Sequence, residues 1–124
     1  MVRLGEMNIG DIRLNDVFFR ASSGNEPVRR WLKSLSAGHK KAIGEDIKTV
    51  QFGWPLGMPL VEKLQPYLWE VRSKVPDGIA RVLFTIDGKT MILLHGFIKK
   101  TRKIPQKEIN AARSRLKQYQ EAGS

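Results

Sequence analysis

The amino-acid sequence predicts an α+β fold in which a small, antiparallel-rich twisted sheet is combined with an N-terminal helical hairpin and a C-terminal helix. Three strand-like runs follow one another in the second half of the chain, and segments with helical spacing of apolar residues stand before and after them. The length of 124 residues fits a single domain, and the hydrophobic fraction of 41% is that of a globular protein.

The N-terminal half is predicted to hold one strand and two helices. Residues 1–14 have no clear pattern and are interpreted as an extension or a loose first strand. Residues 16–21, DVFFRA, have the aromatic and β-branched content of a strand. We expect the first helix to start at Pro27 with Asn25 as its N-cap, and the second to run from near Ser36 to a stop before Gly53. The apolar positions of these helices are Val28, Trp31, Leu32, Leu35, Ile43, Ile47 and Val50.

The C-terminal half is predicted to be a loop, a three-stranded antiparallel meander and a helix. The loop, GWPLGMPL at 53–60, holds two glycines and two prolines. Asp87-Gly88 between apolar runs is a strong hairpin signal. We expect helices on one face of the sheet, with Arg81 and Arg72 on the opposite face. The predicted strands are 64–74, 79–86 and 91–98, and the predicted helix is 105–121.

The composition points to a polyanionic partner. The chain carries 22 basic and 12 acidic residues, for a formal charge of +10, and the basic residues are clustered. It contains no cysteine, which excludes disulfides and thiolate metal sites, and its two histidines are too far apart to favour a metal centre. It has no apolar run of about 18 residues and no signal-peptide pattern, so we expect a cytoplasmic protein without a membrane span.

Basic residues at the predicted strand ends are the candidates for chemistry. Such a set can catalyse RNA cleavage without a metal or another cofactor, because fixed cations stabilise the charge that develops when a 2′-hydroxyl attacks the adjacent phosphorus. Single strand-end lysines and arginines are usually solvated surface residues, so the clustering carries the prediction. The candidate catalytic residues are Arg72, Arg81, His95, Lys99 and Lys100, and the candidate RNA-binding residues are Lys74, Arg102 and Lys103.

Proton transfer in this reaction needs a base and an acid. His95, or a lysine whose pKa is depressed by neighbouring cations, fits that role, but a hydrogen-bonded structural role for His95 is an equal alternative. His39 is predicted to be a surface residue. Trp31 and Trp69 are interpreted as core residues, whereas Trp54 in the loop is a candidate for packing or for stacking on a base.

The motifs LWEVR, Ala80-Arg81-Val82 and HGFIKKTRKIPQKEINAA resemble those of RelE/ParE-superfamily toxins, and the phage-derived HigB-like branch in particular. The resemblance covers roughly residues 16–120. It implies a RelE-like fold and a type II toxin that cleaves mRNA in the ribosomal A site without metal. It also implies a cognate HigA-like helix-turn-helix antitoxin, through which alone the toxin would reach operator DNA. By the same resemblance Arg72 and Arg81 contact the scissile phosphate, and Lys99 and Lys100 match the basic pair after the last strand.

The sequence departs from that family at one functional position. Many RelE-type enzymes carry a catalytic tyrosine near the start of the final helix, where this chain reads IPQKEIN, and the nearest tail aromatic is Tyr119. The identity of the general base therefore stays open. Two other functions remain: a ParE-like inhibitor of DNA gyrase, against which the Lys99–Lys103 cluster weighs, and a non-catalytic relative that binds RNA or an antitoxin.

Overall fold

The computed structural model describes residues 14–101 and 103–123, which form one five-stranded mixed sheet and three helices. The predicted α+β class and the C-terminal helix are confirmed. In chain order the elements are β1 (Asn15–Phe18), α1 (Pro27–Lys33), α2 (Ala37–Gly53), β2 (Val61–Gln65), β3 (Leu68–Val75), β4 (Gly78–Asp87), β5 (Thr90–Lys99) and α3 (Gln106–Ala122).

The meander contains four strands, so the prediction of three is wrong. The run expected at 64–74 is divided by a turn at Pro66-Tyr67, and β2 and β3 pair as an antiparallel hairpin. Tyr67 adopts a φ of 64°, a left-handed conformation that is uncommon outside glycine and reverses the chain here. The sheet order is β1-β5-β4-β3-β2, with β1 parallel to β5 and the other pairs antiparallel.

Helices pack against both faces of the sheet, which corrects the prediction that they cover only one. One core lies under α1 and α2, and includes Val28, Ile43 and Val82. A second core lies under α3, and includes Leu83 and Leu116. Because successive residues of a strand point to opposite faces, β4 and β5 must be apolar on both sides to support two helical layers.

The helical hairpin is fixed to the sheet by a close contact at β5. A Cβ atom added at Gly96 would lie 2.3 Å from a ring carbon of Trp31 on α1, so only glycine admits the ring. Ser36 is the N-cap of α2, and its Oγ accepts a hydrogen bond from the His39 backbone N–H at 3.3 Å. The predicted Asn25 cap is wrong: Glu26 occupies the N-cap position of α1, without a side-chain cap bond.

The tryptophan of the 54–60 loop belongs to the core. The Trp54 ring packs edge-on against Trp69 and Phe84, with ring centroids 5.4 Å and 5.8 Å apart. This packing favours the structural role of Trp54 over base stacking. None of the helices within the described residues is long and apolar enough to cross a membrane.

Candidate functional site

The register of β3, β4 and β5 brings the predicted site residues to one face of the sheet. Arg72 lies directly opposite Arg81, and Arg81 lies opposite Phe97. One step further toward the strand ends, Ile79 of β4 lies between Lys74 and Lys99 in the same way. Cross-strand partners share a face, so these basic side chains from three strands project on the same side of the sheet as α3.

An open pocket of about 790 Å³ lies beside the loop that precedes β2, and residues of this face line part of it. Its basic lining residues are Arg72, Lys74 and Arg81, and it also contains Glu62 and Asp46. The loop contributes an apolar wall, of which Met58 is 65% exposed. A pocket with cationic and apolar walls suits a ligand that has both a phosphate and a flat base.

Arg72 is positioned by two carboxylates and keeps part of its guanidinium available. Its Nε donates to Glu70 Oε1 at 2.7 Å, and its Nη2 lies 2.8 Å from Glu62 Oε2. The Nη1 amino group, with two N–H donors, has no partner among the described residues. The Arg72 side chain is 22% exposed, so solvent and ligands can reach it.

Arg81 is fully buried, and the expectation that it lies on an open face is wrong. Its Nη1 donates to both carboxylate oxygens of Glu70 at 3.2 Å and 3.3 Å, and its Nη2 donates to the backbone oxygen of Thr101 at 2.9 Å. Its Nε is buried without a partner within the part of the chain that the structure describes. Arg81 therefore ties the segment after β5 to the sheet, and any effect on a ligand passes through Glu70 and Thr101.

Glu70 makes this arrangement possible, and sequence reasoning missed it. Two guanidinium groups directly opposite each other on neighbouring strands would repel. The Glu70 carboxylate, itself fully buried, accepts hydrogen bonds from both Arg72 and Arg81 and so offsets that repulsion. The available signal was the alternation in LWEVR, which places Glu70 and Arg72 on the same face of one strand.

The lysines supply the accessible charge. Lys74, Lys100 and Lys103 are exposed and Lys99 is partly buried, and none of these four makes an ion pair with another described residue. Lys100 is close enough to Asp77 to contribute to lowering the pKa of that carboxyl, after the larger effect of its hydrogen bond to His39. The candidate Arg102 lies outside the described residues.

His95 lies on the same face but is held by α3. Its Nε2 is 3.2 Å from Glu108 Oε1, and its Nδ1 is 2.8 Å from Arg115 Nη1. A guanidinium can only donate, so Nδ1 is the acceptor and Nε2 carries the proton that is donated to Glu108. Burial lowers the pKa of His95 below 6.5, and the Arg115 charge adds to this, while Glu108 opposes it.

His39 also forms a hydrogen-bonded cluster, at the turn between β3 and β4. Its Nε2 lies 2.6 Å from Asp77 Oδ1, and its Nδ1 contacts the Ser36 hydroxyl. The side chain is 17% exposed, so this predicted surface histidine lies at the surface but is partly buried by its partners. The cluster joins the start of α2 to the β3–β4 turn. Gly78, which follows this turn as the first residue of β4, packs against the backbone of Lys99. Nothing in the sequence spacing links His39 to Asp77, because the two are 38 residues apart.

Other groups are less suited to the predicted chemistry. Tyr119 donates to Asp87 Oδ2 at 2.7 Å, which raises the pKa of the tyrosine. Asp87 is the last residue of β4, whereas Arg81 lies near the start of the same strand. Tyr119 is therefore at the other end of the sheet from the basic residues and does not replace the missing family tyrosine. No group of three or more histidine, cysteine, aspartate or glutamate side chains within the described residues could hold a metal ion.

The chain is thus an α+β domain with a basic, carboxylate-supported pocket at the strand ends. Residues 30–117, more than half of the sequence, match the model of the phage-derived Gp49-like protein family (DUF891), and the chain belongs to this family. That family is associated with the toxins of toxin–antitoxin systems, which implies an antitoxin partner, and its fold is compatible with the RelE-like fold. None of the curated proteins matches the sequence.

Proposed function

We propose that the protein is the toxin of a type II toxin–antitoxin system and cleaves mRNA in the ribosomal A site, in the cytoplasm, without a metal cofactor. The observation that carries the proposal is the assembly of Arg72 and Lys74 from β3 and Lys99 from β5 on one face of the sheet, beside an open pocket. In the reaction, the 2′-hydroxyl attacks the adjacent phosphorus, and the bond to the 5′ oxygen breaks. The pentavalent transition state carries more negative charge than the ground state, so fixed cations lower the barrier.

Each basic residue has a role in this proposal. Arg72 donates to the scissile phosphate through Nη1, and Lys74 and Lys99 attract the neighbouring phosphates. Arg81 acts indirectly, because its donors hold Glu70 and Thr101. Lys100 and Lys103 extend the positive surface along the RNA or toward ribosomal RNA, and Arg102 is also proposed to bind RNA.

His95 is the residue proposed for proton transfer. Its lowered pKa keeps the ring neutral near pH 7, which is the state that a general base needs. Nδ1, the ring nitrogen without a proton, accepts from Arg115, so the ring has to give up that hydrogen bond before it can take the proton of a 2′-hydroxyl. This requirement also favours a second candidate function, in which the protein binds RNA on the ribosome and stops translation without cutting.

Controlled expression followed by mapping of mRNA 5′ ends separates these functions. The nuclease proposal expects new 5′ ends within translated messages at the onset of growth arrest. Growth arrest with intact messages contradicts cleavage and leaves the binding function. A gyrase supercoiling assay with the purified protein tests the ParE-like alternative, which the proposal expects to be negative. We expect a HigA-like helix-turn-helix antitoxin to relieve the arrest.

A further inference from the structure

We infer that Glu62 is a positioning residue of the RNA site: it holds Arg72 in the ligand-free protein and gives that arginine up to the RNA phosphate. The inference rests on the proposed RNA-binding function and adds to it a residue that is acidic and lies outside the basic motifs. It follows from the unequal burial of the two glutamates that share Arg72.

The two carboxylates hold different parts of one guanidinium. Glu70 accepts a hydrogen bond from Nε of Arg72 at 2.7 Å. Its side chain is fully buried, and it also forms an ion pair with Arg81. Glu62 forms an ion pair with Nη2 of Arg72 at 2.8 Å, but the Glu62 side chain is 35% exposed. A buried ion pair is costly to break, whereas an exposed one exchanges with water and ions at little cost. Glu70 is therefore the fixed support, and Glu62 is the exchangeable one.

The position of Glu62 allows this exchange. It lies on β2, an edge strand of the sheet, directly opposite Glu70, and it lines the same pocket as Arg72 and Lys74. The negative charges of Glu62 and Glu70 offset the positive charges of Arg72 and Arg81. The net positive charge that attracts RNA therefore comes from the lysines. An arriving phosphate finds Nη1 of Arg72 available, and by replacing Glu62 at Nη2 it gains the planar two-point contact that arginine gives to phosphate.

The consequence is a negative contribution of Glu62 to RNA affinity. A phosphate that binds Arg72 has to displace the Glu62 carboxylate or bind beside it, where the two negative charges repel. Glu62→Gln keeps the shape of the side chain and removes this competition. We expect RNA to bind about two- to fivefold more tightly to the variant, a range set by the usual strength of exposed ion pairs.

The matched control is Glu26→Gln. Glu26 is 27% exposed and forms a similar ion pair, at 3.1 Å, with Arg29 on α1, away from the pocket. Both substitutions raise the net charge by the same amount, so a general electrostatic effect changes RNA affinity equally in the two variants. A specific effect at Arg72 appears only with Glu62→Gln.

The test measures binding of a fluorescent single-stranded RNA with 2′-O-methyl groups, which cannot be cleaved because the attacking hydroxyl is blocked. Wild-type protein, both glutamine variants and Arg72→Ala in the wild-type and Glu62→Gln backgrounds are titrated at several salt concentrations. The expected result is tighter binding and a steeper salt dependence for Glu62→Gln, with both gains absent when Arg72 is alanine. Thermal denaturation of each variant measures folding separately, so a structural effect of Glu62 is distinguished from its effect on RNA.

Three results overturn the inference. Equal affinities of the Glu62→Gln and Glu26→Gln proteins, with RNA bound by the wild type, refute the role of Glu62 and leave the proposed function intact. A gain that persists without Arg72 likewise refutes competition for that arginine. Absence of RNA binding by the wild type also overturns the inference, whereas the proposed function is decided separately by cleavage of mRNA on the ribosome.

Discussion

The burial of Arg81 predicts a large stability effect that an exposed, ligand-binding arginine would not have. Replacing Arg81 by methionine removes its hydrogen bonds to Glu70 and Thr101, and among the described residues it leaves the buried Glu70 with Arg72 as its one cationic partner. Breaking a buried ion pair by removing one partner costs about 3–5 kcal/mol. Because domains of this size are stable by about 5–15 kcal/mol, the variant should retain a fold but with a much smaller free energy of unfolding.

Urea denaturation followed by tryptophan fluorescence measures this loss, since Trp54 and Trp69 pack together in the core. Arg29→Met is the control, because its ion pair with Glu26 is exposed and its loss should cost less than about 1 kcal/mol. Replacing Glu70 together with Arg81 by apolar residues should recover much of the loss, because no carboxylate is then left buried beside a missing partner.

The reasoning has a clear point of failure. If Arg81→Met unfolds within about 1 kcal/mol of the wild type, with the same dependence on urea, then Glu70 does not depend on Arg81 for its burial. Arg81 would in that case be free to serve the RNA directly, as the resemblance to RelE-type toxins implies.

Three further predictions concern His95, Gly96 and the Lys99–Lys100 pair. Because burial lowers the pKa of His95 below 6.5, the unfolded chain binds the proton more readily; the stability that His95 contributes is complete above about pH 6.5 and is lost as the pH falls below it. Denaturation between about pH 7.5 and about pH 5 should therefore show a smaller decline for His95→Gln. Gly96→Ala forces a Cβ against the Trp31 ring and should cost about 1–3 kcal/mol in thermal or urea unfolding. Replacing Lys99 and Lys100 together by glutamine should weaken RNA binding and reduce its salt dependence by roughly two ionic contacts, with unfolding nearly unchanged.

Local patterns predicted most of the elements. The spacing of Val28, Trp31 and Leu32 predicted α1, and Asp87-Gly88 predicted the β4–β5 hairpin, because these signals depend only on neighbouring residues. The Pro66-Tyr67 turn was missed since a left-handed tyrosine has no sequence signature of the kind that glycine provides. The second helical layer was also missed, because the side of the sheet that a terminal helix covers depends on the path of its connection.

The sequence predicted that the basic side chains of neighbouring strands lie together, but not how they are paired and buried. Strand alternation and the hairpin turn were sufficient to bring Arg72 and Arg81 to one face. Whether a basic side chain is solvent-exposed or buried depends on its partners. Here the partners are the carboxylates of Glu70 and Glu62 and the backbone oxygen of Thr101, which a search for positive charge does not select. The same holds for His39, whose partner Asp77 lies in a turn distant in sequence.

The most direct test of the proposed function is primer extension on a defined mRNA bound to purified ribosomes, with wild-type protein, Arg72→Ala and Arg29→Ala. Arg72 is partly exposed and available to the phosphate, whereas Arg29 is an exposed arginine of α1 outside the pocket. We predict A-site cleavage by the wild type and by Arg29→Ala, and a rate more than tenfold lower for Arg72→Ala with its folding retained. Equal cleavage by all three proteins, or none by the wild type, would contradict the assignment of this strand-end pocket as a ribonuclease site.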